Sequence, residues 1–418
     1  MINYRAFLFF LIICSLIMIS SCNADRPKPD ITVPEPEEEI SLRHVNYYID
    51  NSGGMFGYVS EFNNYISTVS ELAQKPDFIT SGVSKQFNFI NGFDQIVITD
   101  IGTSARYFTS KLNPTDFNVG NIQGNDLNKM FQIALENTSS DTLTIFITDA
   151  IYDIQQKDDP LNSLIVESRE TRRQFISRLN SGDDFQTLFI KVSSNFSGRY
   201  YFGRKFGQEA IDMPRPFYIF VFGHSDIVNS YFSDSYFDRL DGYENHFRYF
   251  KTGEMEIPYA VASHNQMGDF RFVRNDRKRV TNATTDRRNN FQIGLAVDFS
   301  SLPLSSDYLT DLDNYTISPS FEIAELEPYN SSMFLGISDF EPSHVFTLRS
   351  QRPHGSQNMK LMNNSPLWIS ESHTDDDSEI QNQPDKTWGI QYLIAGIEDA
   401  YKHMSKRNYI VNMEIFIE

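Results

Sequence analysis

The sequence predicts an α/β fold: a mostly parallel sheet flanked by helices, followed by a β-rich, sandwich-like C-terminal region. Three observations carry this. Val45 to Ile49 is an apolar and aromatic run of strand length that stops at Asp50, where turn formers take over. From Phe56 the period changes, and Phe56, Val59, Phe62, Ile66, Val69 and Leu72 recur at helical spacing. Strand and helix signals then alternate as far as Phe232, and beyond it strand signals dominate.

A chain of 418 residues suggests two or three domains. The expected division is a signal segment at 1–21, a tether at 22–41, the α/β domain at 42–232 and the β-rich domain at 233–418. A formal charge of −19 argues against nucleic acid as a partner. The 35 Phe and 21 Tyr supply material for large cores. The only cysteines are Cys14 and Cys22, so nothing after residue 22 can form a disulfide or a thiolate site.

The N-terminus reads as an export signal. Arg5 precedes an apolar run from Ala6 to Met18, which is short for a membrane span and has the length of a signal core. It ends in Ile19-Ser20-Ser21-Cys22, which resembles the bacterial lipobox. That resemblance implies that Cys22 carries fatty acids such as palmitate and becomes the mature N-terminus. Residues 23–40 hold four prolines and a run of acids, the composition of an extended, self-repelling tether.

The elements of the first domain follow in order. A helix is expected from about Met55 to Gln74, and Ile96–Thr99 reads as a second strand. Ile101–Phe108 reads as a turn into a short hairpin strand. Leu127, Met130, Phe131, Ala134 and Leu135 mark one helix face. Leu143–Ile147 is a nearly continuous apolar run, as expected of a strand buried on both faces, and Thr148-Asp149 ends it. Pro160 sits where a helix can start. Thr187–Val192 and Phe217–Phe222 read as two further strands.

Four short motifs in this order resemble the von Willebrand factor A (vWA) family. They are Asp50-Asn51-Ser52-Gly53-Gly54 after the first strand, Ile96–Phe108, Gly124-Asn125-Asp126-Leu127, and Ile145-Phe146-Ile147-Thr148-Asp149-Ala150. Together they span about residues 42–232. The resemblance implies a metal ion at the loops, with Asp50 and Asp149 as acidic members and Ser52 as a hydroxyl ligand. Oxygen donors of this kind suit Mg²⁺, Ca²⁺ or Mn²⁺. The sequence departs from the family twice. Gly54 stands where a second serine is expected, and Asn125, or Asp126 with a one-residue shift, stands in place of a threonine.

Simpler roles compete with this one. Aspartate at a strand end often caps the next helix. Asp153, Asp158 and Asp159 read as a solvated loop leading into a helix. His224, in Gly223-His224-Ser225-Asp226, is expected at the same sheet edge as Asp50. Adjacent residues cannot form a catalytic triad, and no Gly-x-Ser-x-Gly elbow or phosphate loop appears. His44 reads as structural.

Beyond Phe232, short runs at Ile257–Val261, Phe291–Phe299, Phe321–Ile323, Val345–Leu348, Pro366–Ile369 and Tyr409–Ile417 suggest an antiparallel sandwich. One helix interrupts them, with Trp388, Tyr392, Leu393, Ile397, Ala400 and Tyr401 on its apolar face. Arg271–Arg288 holds seven basic residues and reads as a solvated hairpin. Ser372–Glu379 reads as a solvated acidic loop that lacks the ligand spacing of an EF-hand.

The expected protein is a lipoprotein of the bacterial cell envelope, anchored to the outer membrane or cell surface. It is read as a non-catalytic module that recognises an envelope protein or surface ligand through the edge containing Asp50, Ser52, Asn125, Asp126 and Asp149. The alternatives are a metal-dependent, phosphatase-like hydrolase using Asp50 and Asp149, and a structural subunit of an envelope complex.

Overall fold

In a computed structural model, the described residues are 41–79, 82–154, 159–252, 255–333 and 335–418. The expected signal segment, Cys22 and nearly all of the tether lie outside them. The strands of the first sheet are β1 (His44–Asp50), β2 (Ser84–Asn91), β3 (Val97–Gly102), β4 (Thr142–Thr148), β5 (Phe185–Tyr201), β6 (Gln208–His224) and β7 (Tyr243–Phe250). Their spatial order is β3-β2-β1-β4-β6-β5-β7. The helices that matter most are α1 (Asn64–Ile79), α2 (Leu127–Glu136), α3 (Pro160–Leu179) and α4 (Ile390–Met404).

Side-chain alternation divides the central strands between two cores. Val45, Tyr47 and Ile49 of β1 join Leu143, Ile145 and Ile147 of β4 against Tyr65, Val69 and Leu72 of α1. Tyr48 and Phe146 point the other way, towards Phe131 of α2 and Phe175 of α3. With apolar groups on both faces, every residue of β4 is buried. At the start of α3, Asp159 accepts a hydrogen bond from the Asn162 N–H and Pro160 occupies the first turn, so both residues serve the helix start.

The sheet is mixed, whereas the sequence predicts a mostly parallel one. β1 pairs in parallel with β2 and β4, and the remaining pairings are antiparallel. The stretches 187–192 and 217–222 are the middles of β5 and β6, which form one long hairpin in register from Phe185↔His224 to Tyr201↔Gln208. Only residues 202–207 connect them, too few for the crossover that parallel strands require. Because β6 is antiparallel to β4, His224 lies at the edge opposite Asp50. There it caps the helix Ser225–Tyr231, accepting from the Asp226 N–H at 3.3 Å.

Local elements also shift. Gly53–Tyr58 is a 3₁₀ segment, and the first α-helix begins only at Asn64. A Cβ on Gly57 would lie 2.4 Å from Phe196 of β5, so this stretch is held under the long hairpin. Residues 105–110 are helical, with Ser104 accepting from the Tyr107 N–H, in place of the expected hairpin strand. Strand β2 has no counterpart among the elements the sequence predicts; Phe87, Phe89 and Ile90 bury it.

Residues 40–418 form one compact unit. The first sheet continues past the expected boundary at 232/233, because β7 pairs with β5. Phe146, Phe220, Phe291, Phe346, Trp388 and Leu393 belong to one continuous core. That core also holds the rest of the chain. A four-stranded antiparallel sheet contains β8 (Tyr259–Met267), β11 (Phe291–Val297), β13 (Glu322–Pro328) and β14 (His344–Ser350). A five-stranded sheet contains β9 (Asp269–Val273), β10 (Asp276–Thr284), β12 (Tyr315–Ile317), β15 (Gly355–Met362) and β18 (Tyr409–Ile417). The two sheets meet through aromatic rings, with Tyr315 and Phe346 at 5.1 Å. A two-residue parallel pair, β16 (His373–Thr374) and β17 (Thr387–Trp388), completes the set. Of the basic stretch, Arg271, Arg274, Arg277, Lys278 and Arg279 lie on the β9–β10 hairpin, and Arg287 and Arg288 lie in the turn after it.

Candidate binding site at the sheet edge

Parallel pairing of β1 and β4, with Ile49 opposite Ile147, brings the turns that carry Asp50 and Asp149 side by side. This is the edge at which open α/β sheets bind ligands. The hairpin of β5 and β6 runs on past Thr148 and walls one side. Between edge and wall lies a pocket of about 300 Å³ lined by Ser52, Gly53, Gly54, Asn125, Asp149 and Asp153 on the edge side. Tyr58, Tyr152, Phe196, Tyr200, Tyr201, Phe202 and Arg215 supply the aromatic and cationic remainder.

Asp50 is wholly buried, and protein donors meet both of its oxygens. Oδ1 accepts from the Ser52 N–H at 2.8 Å. Oδ2 accepts from the Thr148 hydroxyl at 2.8 Å and the Asn125 amide at 3.2 Å. Burial raises its pKa, and these hydrogen bonds offset only part of that rise.

Asn125 is placed by β2. The Gly92 N–H donates to Gly124 O at 3.0 Å and the Asp126 N–H to Gly92 O at 2.9 Å, a one-residue extension of the sheet. Only glycine suits position 92: its φ is +108°, and a Cβ would lie 2.2 Å from Gln95 O. The Asn125 Nδ2 faces Asp50 Oδ2 and Ser52 Oγ, the latter at 3.4 Å. Its Oδ1 is buried and meets no donor. The amide cannot simply be turned over, because that would set its oxygen against the Asp50 carboxylate.

Asp149 follows β4, with Ala150 at φ +57° turning the chain. Its Oδ1 accepts from the Ile151 N–H at 3.2 Å. Burial, then the nearby charge of Asp50, push its pKa up to about 7 against the opposing effects of the Ile151 N–H and Arg215. Arg215 is itself buried, and its Nη1 donates to Lys386 O at 2.8 Å. Its guanidinium lies 4.9 Å from the centre of the Tyr200 ring.

Of the expected site residues, Asp50, Ser52, Asn125 and Asp149 converge. Asp126 does not join them. It caps α2, accepting from the Lys129 N–H at 3.0 Å and pairing with the Lys129 ammonium at 2.9 Å. Asp153, expected in a solvated loop, lines the pocket instead, and Asp158 lies outside the described residues. The wall residues Tyr200, Tyr201, Phe202 and Arg215 carry no sequence motif. Their position depends on the hairpin's extension beyond the sheet.

The acidic loop has a structural role. Asp377 is fully buried and accepts from the Tyr200 hydroxyl at 2.9 Å, the Gly203 N–H at 2.6 Å and the Arg204 N–H at 3.2 Å. A Cβ on Gly203 would lie 2.1 Å from the Trp388 ring, so the hairpin tip sits directly on that indole. The C-terminal part of the chain therefore fixes the pocket wall.

The site's oxygens match a hard divalent cation in kind. Among the described residues, however, no three His, Cys, Asp or Glu side chains gather to hold a metal. Asp50 is already engaged on both oxygens, and Gly54 supplies none. No protein-family model matches the chain, and no curated protein matches it.

Proposed function

We propose that this chain is a non-catalytic recognition module of the bacterial cell envelope. Its lipid anchor is Cys22, and its vWA-like α/β half presents the pocket beside Asp149 to an envelope protein. The observation that carries this reading is the pocket itself. It combines aromatic walls with few, convergent polar groups, and one of them, Asn125 Oδ1, is a buried acceptor that meets no donor in the protein. Leaving such an atom unpaired costs about 1–3 kcal/mol, which a bound donor recovers. The vWA-like reading rests on the four motifs and on the adjacent acidic turns of β1 and β4. The antiparallel β5, β6 and β7 depart from a mostly parallel sheet.

A second reading is a divalent cation (Mg²⁺, Ca²⁺ or Mn²⁺) held by Asp50, Ser52, Asn125 and Asp149. The all-oxygen donor set favours it, and a partner's acidic group would then complete the shell.

The fold after Cys22 has no cysteine, so Tyr201→Cys introduces a single thiol at the pocket mouth. In intact envelopes a bound partner should slow its maleimide labelling several-fold relative to the purified protein. Adding Asp149→Ala should restore fast labelling. Equal labelling of the single variant in both settings would refute the reading.

A further inference from the structure

We infer that the β9–β10 hairpin and the turn after it form a second interaction surface, which docks on the phosphate headgroups of an anionic membrane. This surface is separate from the pocket. It shares with the reading above only the anchor at Cys22, which holds the chain beside a membrane.

The chain carries 55 Asp and Glu against 36 Lys and Arg, yet seven of those 36 cations lie within residues 271–288, where Asp276 and Asp286 are the only acids. Neither acid neutralises the group. Asp276 accepts from the Lys278 N–H at 3.0 Å and lies 3.7 Å from Arg279, which also meets Glu418 at 3.4 Å. Asp286 accepts from the N–H groups of Arg288 and Asn290 at 2.9 and 2.8 Å, and so closes its own turn. Arg271, Arg274, Lys278, Arg287 and Arg288 are exposed, and among the described residues no carboxylate pairs with them.

The fold lays these cations along an edge. β9 is the outermost strand of the five-stranded sheet. Val280 is buried and pairs with Phe272, so the next pair, Thr281 and Arg271, faces away from the core. Arg274 sits in the turn at one end of the hairpin. Arg287 and Arg288 follow the other end, where Thr284 pairs with Asp269. Five residues at about 3.4 Å each make β9 about 17 Å long. The row is therefore too long for one small anion and suits an extended surface. Met267 and Phe416, 39% and 36% exposed, border it; Met267 lies two residues before β9, and Phe416 pairs with Arg279. Cations beside exposed apolar groups make an interfacial contact.

The kind of cation selects phosphate. Six of the seven are arginine, whose planar fork meets phosphate oxygens bidentately. An edge strand also needs charge to keep a further strand from adding to it. Either sign serves that purpose, and guarding β9 asks nothing of Arg287 and Arg288, which lie outside it. In a chain of charge −19, an anionic membrane attracts this edge and repels the chain as a whole, so the contact also orients the molecule.

The test follows amide hydrogen exchange of residues 269–290 in the purified full-length chain, added to vesicles of phosphatidylcholine alone or with one third phosphatidylglycerol. Exchange should slow at least threefold with the anionic vesicles and not with the neutral ones. NaCl at about 1 M should abolish the protection, because the screening length falls to about 3 Å. The combined variant Arg271→Gln, Arg274→Gln, Arg287→Gln and Arg288→Gln should lose it too, with β4 amides exchanging as before. Equal exchange with both vesicles, or protection that survives the four substitutions, would overturn the inference. If poly-glutamate protects the hairpin as strongly as the anionic vesicles, the surface reads an acidic protein and the membrane assignment falls. A chain lacking the Cys22 lipid meets the same vesicles from solution, so a failed anchor leaves this readout intact. Labelling of Tyr201→Cys reports on the pocket separately.

Discussion

The Asp149 carboxylate occupies the space that a side chain at Gly54 would need: a Cβ there would lie 2.7 Å from Asp149 Oδ2. The glycine and the acid are therefore two halves of one local arrangement. Ala, Ser or any larger residue at 54 must displace Asp149.

Gly54→Ala should destabilise the fold by about 1–3 kcal/mol through this overlap. Asp149→Ala removes the obstacle, so adding Gly54→Ala to it should cost little. Denaturation midpoints of the two single variants and the double variant should show a coupling of about 1 kcal/mol or more. Strict additivity would mean that Asp149 moves aside freely.

Asp149 also predicts a dependence of stability on pH. Its folded-state pKa of about 7 lies above the ordinary carboxyl value, so the folded state binds this proton more tightly than the unfolded state. The contribution is fully present below about pH 4 and is lost as pH rises through 7. Asp149→Asn should therefore be more stable than the natural chain at pH 8. The difference should vanish near pH 4. An equal difference at both pH values would contradict the assigned environment.

His246 should behave in the opposite sense. Burial and the neighbouring Arg248 push its pKa down to about 3. Its ring stacks on Phe237 at 3.9 Å, with Tyr243 Oη 2.7 Å from Nδ1 and Arg248 Nη1 2.9 Å from Nε2. Arg248 must donate, so His246 is neutral and carries its proton on Nδ1. Its contribution is intact above about pH 6.5 and is lost as pH falls towards 3. The ring resonances should show no titration between pH 7 and 5. A midpoint near 6.5 would refute this.

Asp377→Ala should cost about 2–4 kcal/mol, because it strips the acceptor from two main-chain N–H groups and a buried hydroxyl. The amides of Gly203 and Arg204 should exchange with solvent faster, while those of β4 should be unaffected at equal global stability. Unchanged exchange at the hairpin tip would show that Trp388 alone holds it.

Much of this site was legible in the sequence. β1 and β4 are apolar runs cut off by turn formers, and their ends place Asp50 and Asp149. Asn125 was found in a short motif that opens α2. Asp126 stands apart from the other four because it is also a good helix cap, and Lys129 three residues on completes that role. The pocket wall was hidden for a different reason. Residues 192–201 and 208–217 pair beyond the sheet, and nothing local reveals how far a hairpin projects. Their short connection, with Gly203 and Gly207, was the available sign that 187–192 and 217–222 run antiparallel. The shared core was equally hidden, since the packing of α4 residues against the first sheet joins positions some two hundred residues apart.

The central claim is that the edge beside Asp149 is where this chain meets its partner. The most direct measurement places a photoreactive phenylalanine at Tyr201, which is 45% exposed at the pocket mouth, and irradiates the native envelope. The account predicts one discrete cross-linked species whose yield falls at least tenfold in Asp149→Ala and in Asn125→Ala. An adduct formed in equal yield by those variants, or no adduct from position 201 at all, would contradict it.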